Sequence, residues 1–234
     1  MDTLPPVATT TEIRAMLAIP FRGNGGERER VLEKTLELLR NLYNWEHIEL
    51  FDSNHPVFNR SASRNRGVFA AVQYGCDVVV VCDADSIPEK EPLWAAIHAA
   101  HDGLIHFPFT SVAEYPADRI HELDSTLSAA RTLGTGWYPS QGGCWVATPK
   151  AWWEAGGMDE RIIHWGPEDR AFLAAYRTLL GDSVKHEGML VCVSHGDRGR
   201  QFDPADVRIM EQYEHAFGNR DKMLKVIASR GPVR

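Results

Sequence analysis

Asp83 and Asp85 close an apolar run, VVVVCDADS over residues 78–86. Alternate side chains of a strand share a face, so the two carboxylates can point to one site, and paired hard oxygens suit Mg²⁺ or Mn²⁺ carrying a diphosphate. The carboxyl end of a strand is also where open α/β sheets bind ligands. Asp-x-Asp alone is common, and a strand running into a polar turn gives the same pattern. A second acidic pair, Glu168 and Asp169, follows Trp165, Gly166 and Pro167 in HWGPEDRAF. Acidic residues in a first helical turn complement the helix dipole whatever else they do. Trp-Gly ahead of them is a costly choice for a cap alone, and a desolvated carboxylate there can act as a general base on a hydroxyl.

Such groups need a frame to hold them. Residues 14–21 read as a strand closed by Pro20 and followed by the loop RGNGGERER, after which Val31, Leu32, Thr35, Leu36, Leu38, Leu39 and Leu42 keep a helical period. Residues 47–51 form the next strand, ending on Asp52. Ala62, Val68, Ala71 and Val72 predict a second amphipathic helix before the strand that carries Asp83 and Asp85. Strand, helix, strand, helix, strand is the pattern of a parallel, doubly wound half-domain. Past Pro88 a helix is expected over residues 92–100, a strand over 103–109 and a polar, mixed segment over 111–130. The stretch from 136 to 181 is dense in Trp, Gly and Pro, which suits a binding surface built from loops. Pro167 opens a helix that runs to Leu180 and stops at Gly181, Met189 begins a last strand, and Pro204 begins a C-terminal helix ending at Gly218.

At 234 residues and 44% hydrophobic the chain can bury a sizeable core in one domain. A formal net charge of −7 gives no global attraction to nucleic acid or anionic lipid. Four cysteines, Cys76, Cys82, Cys144 and Cys192, lack any Cys-x-x-Cys pairing and read as small buried hydrophobes in a reducing compartment. No signal-like start and no membrane-spanning run is legible. A soluble, cytoplasmic protein without a membrane anchor is expected, of a kind compatible with bacterial or viral origin.

Together these pieces resemble the GT-A class of nucleotide-sugar-dependent glycosyltransferases over nearly the whole chain. Four segments carry the likeness: AIPFR at residues 18–22, SRNRGVFAA leading into CDADS, the pair GGCW and GGMDER, and HWGPEDRAF. The last two are similar to the lactose-synthase-type β-galactosyltransferases and the polypeptide N-acetylgalactosaminyltransferases, which pair a Gly-Gly-aromatic strand with a Trp-Gly-x-Glu-Asp segment. The resemblance implies a single α/β domain with a Rossmann-like, mostly parallel sheet flanked by helices and a loop-rich acceptor half. Residues 12–86 would be the nucleotide-binding half and 87–234 the sugar and acceptor half.

By resemblance Pro20, Phe21, Arg22 and Asp52 match uridine-contacting positions; a carboxylate can accept the imide N–H of uracil. Arg60, Asn65 and Arg66 are the next candidate donor contacts, with a solvated helix face as the plainer role for both arginines. Asp83 matches the aspartate that touches ribose beside the metal, Asp85 the metal ligand, and His195 the late metal-binding histidine. Cys192 falls where the galactosyltransferases carry a sulfur ligand, but Mn²⁺ and Mg²⁺ favour oxygen and imidazole, so it is read as a core cysteine. Asp169 matches the general base, with Glu168 orienting the acceptor. Gly142 and Gly143 let the backbone approach the donor sugar, with Trp145 behind. Trp137, Tyr138, Trp152, Trp153 and Trp165 are aromatic candidates for sugar or acceptor contact, and His164 is read as structural.

The implied activity is transfer of a hexose from a UDP-sugar to an acceptor hydroxyl, with Mn²⁺ or Mg²⁺ and inversion at the anomeric carbon. A retaining enzyme of the same fold is the first alternative. A sugar-1-phosphate nucleotidyltransferase should open on a long Gly-rich phosphate loop ending in a basic residue, which FRGNGGERER matches poorly, and an inactive nucleotide-sugar-binding module is the remaining one. The acceptor, whether glycan, protein, small molecule or modified nucleobase, stays open.

Overall fold

In a computed structural model the described residues are 12–138, 141–164, 166–194 and 203–231. The first half alternates strand and helix: β1 (Ala15–Pro20), α1 (Glu27–Arg40), β2 (His47–Phe51), α2 (Arg60–Gln73) and β3 (Val78–Cys82). β1 pairs in parallel with both β2 and β3. Every residue of β1 (AMLAIP) and β3 (VVVVC) is buried, as parallel strands covered on both faces require. α2 lies close on this sheet because Gly67 faces β1: a Cβ there would come within 2.7 Å of the Ala18 Cβ. The Ser63 hydroxyl, one turn earlier, donates to the Phe51 carbonyl.

The second half is β4 (Ser86–Pro88), α3 (Lys90–Ala99), β5 (His106–Phe107), β6 (Ser111–Pro116), α4 (Ser128–Leu133), β7 (Thr135–Tyr138), β8 (Cys144–Ala147), α5 (Pro149–Glu154), α6 (Pro167–Leu179), β9 (Val184–Lys185), β10 (Met189–Ser194), α7 (Pro204–Ala216) and α8 (Arg220–Ala228). The main sheet has the order β2-β1-β3-β8-β5-β9. β8 is antiparallel to both its neighbours, so it alone runs against the other five strands. A second sheet, β4-β10-β6-β7, begins where the first leaves off, at Ser86. The DADS segment is therefore the hinge line between the two sheets.

Two readings from sequence are revised. The strand expected over 103–109 shrinks to β5, two residues long. The supposedly mixed segment over 111–130 holds β6, whose Val112, Ala113 and Tyr115 are buried against β10; Glu114 and Pro116 within it obscure the pattern. The main core joins both sheets, and a smaller one (Ile162, Ala171, Ala175, Leu179, Met210, Tyr213, Ala216, Met223) packs α6 against α7 and α8. Cys76, Cys82 and Cys144 are buried free thiols, whereas Cys192 is half-buried. Among the described residues no helix is long and apolar enough to cross a membrane.

Candidate active site

The backbone of the DADS segment is stapled on both sides. The Asp83 N–H donates to the Gly143 carbonyl at 2.8 Å, just before β8, and the Val193 N–H near the end of β10 donates to the Asp85 carbonyl at 2.8 Å. Both carboxylates are half-exposed at this junction. The Ser86 hydroxyl donates to Asp85 Oδ1 at 3.2 Å and stands 3.4 Å from Cys192 Sγ. Cys192 is thus next to the paired aspartates rather than deep in the core.

What joins Asp83 to the second acidic pair is Arg64 of α2, which lies within the SRNRGVFAA segment but has no role legible in the sequence. Its side chain is 1% exposed. One terminal nitrogen, Nη2, donates to both Asp83 oxygens at 2.9 and 3.2 Å, and the other, Nη1, donates to Asp169 Oδ1 at 2.6 Å. Glu168 Oε1 lies 3.9 Å from Nη1. The planar fork of an arginine suits two carboxylates at once where a lysine would serve one. Removing one partner from a buried ion pair of this kind costs about 3–5 kcal/mol, because a charge is left uncompensated. Arg64 follows the small residues Ser61, Ala62 and Ser63, all of them buried in the structure.

Glu168 and Asp169 stand in the first turn of α6. Gly166 precedes them at φ +124°, a left-handed conformation that favours glycine, and its N–H donates to Glu168 Oε2 at 2.8 Å. Burial pushes the Asp169 carboxyl up to about 7 against the pull of Arg64, and the neighbouring Glu168 and Asp83 carboxylates push the same way. About a quarter of the side chain (24%) still meets solvent, which leaves it within reach of a substrate. Gly142 makes room for it: a Cβ there would fall 2.3 Å from Asp169 Oδ2.

At the neighbouring ends of β1 and β2, Arg22 and Asp52 form a two-pronged ion pair, with Nη2 to Oδ1 at 2.6 Å and Nε to Oδ2 at 2.8 Å. The Arg22 hydrogen bonds hold the Asp52 carboxyl down at about 2. Arg22 also donates to the carbonyls of His55 and Pro56, tying down the loop after β2. Pro20 is the last residue of β1, and the Phe21 N–H continues the ladder to the Phe51 carbonyl at 2.9 Å. The following Gly-rich loop has its donors occupied. The N–H groups of Asn24, Gly25 and Gly26 all point at the Glu29 carboxylate, at 2.5, 2.6 and 2.8 Å. A loop that grips its own glutamate is not poised to cradle a phosphate, which weighs against the nucleotidyltransferase alternative.

The structure brings Asp83, Asp85, Gly142, Gly143, Glu168 and Asp169 to one place and sets Pro20, Phe21, Arg22 and Asp52 at the adjacent strand ends. Asn65 goes elsewhere. Its amide nitrogen donates to the Met158 carbonyl and Glu160 Oε1, and its oxygen accepts from Met158 N–H and Trp152 Nε1. It is buried and its capacity is spent on anchoring the GGMDER segment to α2, so it has no hydrogen left for a nucleotide. Arg66 is exposed, beside Asn54, and Arg60 is half-buried at the start of α2. Trp145 and Trp152 are fully buried core residues packed with Phe172, which removes Trp152 from the aromatic contacts considered. Trp153 is half-buried against the core. His164 has its backbone N–H and ring held by the buried Asp206 of α7. The assignments to Trp165 and His195 lie outside the described residues.

Two carboxylates and a hydroxyl, all hard oxygens, fit Mg²⁺ or Mn²⁺ at Asp83 and Asp85. A nearby thiol does not disturb that fit, since nothing requires Cys192 to ligate.

No family model and no curated protein matches the sequence. Solved structures do. The catalytic domain of Drosophila β1,4-galactosyltransferase 7 complexed with xylobiose superposes with a TM-score of 0.60 at 17% identity, over 88% of this chain and 83% of that one. A variant of the same enzyme with manganese, UDP-Gal and xylobiose gives 0.56 at 16% identity, over 82% and 75%. GalNAc-T7 with UDP, GalNAc and Mn²⁺ gives 0.52 at 11% identity, over 93% of this chain and 55% of that one, about half its length. The fold is that of the GT-A nucleotide-sugar glycosyltransferases.

Proposed function

We propose that this chain is a metal-dependent glycosyltransferase that moves a hexose from a UDP-sugar to an acceptor hydroxyl with inversion. The observation that carries the reading is the Arg64 bridge between Asp83 and Asp169. It sets a pair of metal-type carboxylates and a carboxyl held near 7 side by side, which is the equipment for displacing a diphosphate by a hydroxyl. The fold likeness supports the donor and metal, because the Drosophila galactosyltransferase 7 variant was crystallised with manganese and UDP-Gal.

In this reading residues 12–86 hold the nucleotide and 87–234 the sugar and acceptor. Arg22 and Asp52 flank the uracil, with Pro20 and Phe21 beside it. Arg60 and Arg66 lie along the phosphate side, and Asp83, Asp85 and His195 hold the divalent ion. When bound, that ion neutralises the negative charge left on UDP. Asp169, deprotonated, takes the acceptor proton as the acceptor oxygen bonds to the anomeric carbon and the bond to the diphosphate breaks. Glu168 and Trp165 orient the acceptor, while Gly142 and Gly143 let the sugar lie close to the backbone. Free thiols fit a cytoplasmic setting, where they stay reduced.

The direct test is UDP release from a panel of UDP-hexoses with and without Mn²⁺. Release that requires the metal and is lost in Asp85→Ala supports the proposal. No release from any donor, or release indifferent to EDTA, counts against it.

A further inference from the structure

Arg64 has more to do than neutralise a single aspartate. Three carboxylates, those of Asp83, Glu168 and Asp169, stand within 4.0 Å of this one guanidinium, whose side chain is 1% exposed. Its two terminal nitrogens are divided: Nη2 serves only Asp83 and Nη1 faces Asp169 and Glu168. The Nε hydrogen is buried and has no partner among the described residues. A single guanidinium whose charge is split between two carboxylates cannot change its hold on one without changing its hold on the other.

We infer that Arg64 is a positioning residue that couples the metal-side aspartate to the acceptor-side aspartate, so that occupancy at Asp83 is felt at Asp169. The inference rests on the donor and metal reading above. Before a cation is present, Arg64 shares itself between Asp83 and Asp169. A divalent ion at Asp83 and Asp85 competes for the Asp83 oxygens, and the guanidinium then turns more of its charge to Asp169, drawing that carboxylate into one fixed place beside the donor. The hold on Asp169, already made at 2.6 Å without a cation, is thus strengthened when the donor's metal is there.

Contact with Asp83 makes a prediction that an arginine bonded to Asp169 alone does not. Arg64 competes with the metal for Asp83, so Arg64→Met should tighten the binding of Mn²⁺ alone, read by electron paramagnetic resonance of free Mn²⁺, by several-fold. Circular dichroism first establishes that the variant is folded. Weaker or unchanged Mn²⁺ affinity in folded protein overturns the inference.

Arg64→Lys keeps the charge but offers a single point that cannot span both carboxylates, and it extends the test should the Met variant not fold. Its turnover, measured as Mn²⁺-dependent UDP release, should fall about a hundredfold in the wild-type background, as expected when a reacting group is misplaced by about 1 Å. In an Asp169→Asn background the same substitution should change turnover by less than about threefold, because residues acting as a unit are not additive. An equal loss in both backgrounds overturns the coupling. Failure of wild-type protein to bind UDP with Mn²⁺ in calorimetry would instead remove the underlying donor reading, so the two failures are told apart.

Discussion

Gly142 and Asp169 are in such close approach that a Cβ on the glycine would stand 2.3 Å from Asp169 Oδ2. The carboxylate has little room to retreat, since its other oxygen is held by Arg64 at 2.6 Å. Gly142→Ala is therefore a probe of the base that leaves the donor-binding residues at the ends of β1 and β2 untouched. The variant should fold and bind UDP as the wild type does, yet lose about a hundredfold in turnover because the base is pushed off its line of attack. Wild-type turnover in this variant would show that the position of Asp169 does not matter.

Asp169 itself should titrate in the activity profile. A base works deprotonated, and burial raises this carboxyl to about 7 in the metal-free protein. With the metal bound and more of the Arg64 charge on Asp169, turnover should rise with pH along a limb at or below that value and then level off. Asp169→Asn cannot take a proton. It should lower turnover by about 10²- to 10⁴-fold, with the rising limb abolished and UDP affinity nearly unchanged. A variant that keeps the limb assigns it to another group, and a product with the donor's anomeric configuration contradicts inversion.

The Arg22–Asp52 pair should read the nucleobase. Its hydrogen bonds hold the Asp52 carboxyl down at about 2, so Asp52 stays ionised and affinity for UDP should not change on its account across the working range. A site built to accept a hydrogen bond discriminates strongly against a ligand that cannot give it. Calorimetry should therefore rank UDP well above ADP and GDP, and Asp52→Ala should flatten the ranking. Equal affinities in the wild type would take the base away from this corner.

Asn65 and Arg66 are sequence neighbours with opposite fates, and their alanine variants should separate cleanly. Asn65→Ala strands the groups that its amide satisfies at Met158, Glu160 and Trp152, and should cost about 3 kcal/mol in urea unfolding. Arg66→Ala, at an exposed site, should stay within about 0.5 kcal/mol. Similar stabilities for the two would contradict the anchoring role of Asn65.

The half-domain and its two acidic pairs are legible in the sequence because they rest on strong local signals. A wholly apolar β3 ends in two aspartates, and a Gly-Pro step opens α6 just ahead of Glu168 and Asp169. Arg64 is not legible, because an arginine in an amphipathic helix looks solvated until the helix is seen pressed onto β1 through Gly67. Asn65 looks like a ligand for the same reason; only tertiary contact with the GGMDER segment reveals four hydrogen bonds already made. The Gly-rich loop reads as a poor phosphate cradle from its residues alone, but that Glu29 fills it depends on where α1 begins.

Calorimetric titration of the protein with UDP, in Mn²⁺ and again in EDTA, tests the central claim most directly. Binding that appears with Mn²⁺, disappears with EDTA and is lost in Asp85→Ala is the predicted result. UDP affinity that is absent under all conditions, or the same with and without the metal, would contradict a metal-dependent UDP-sugar site at Asp83 and Asp85.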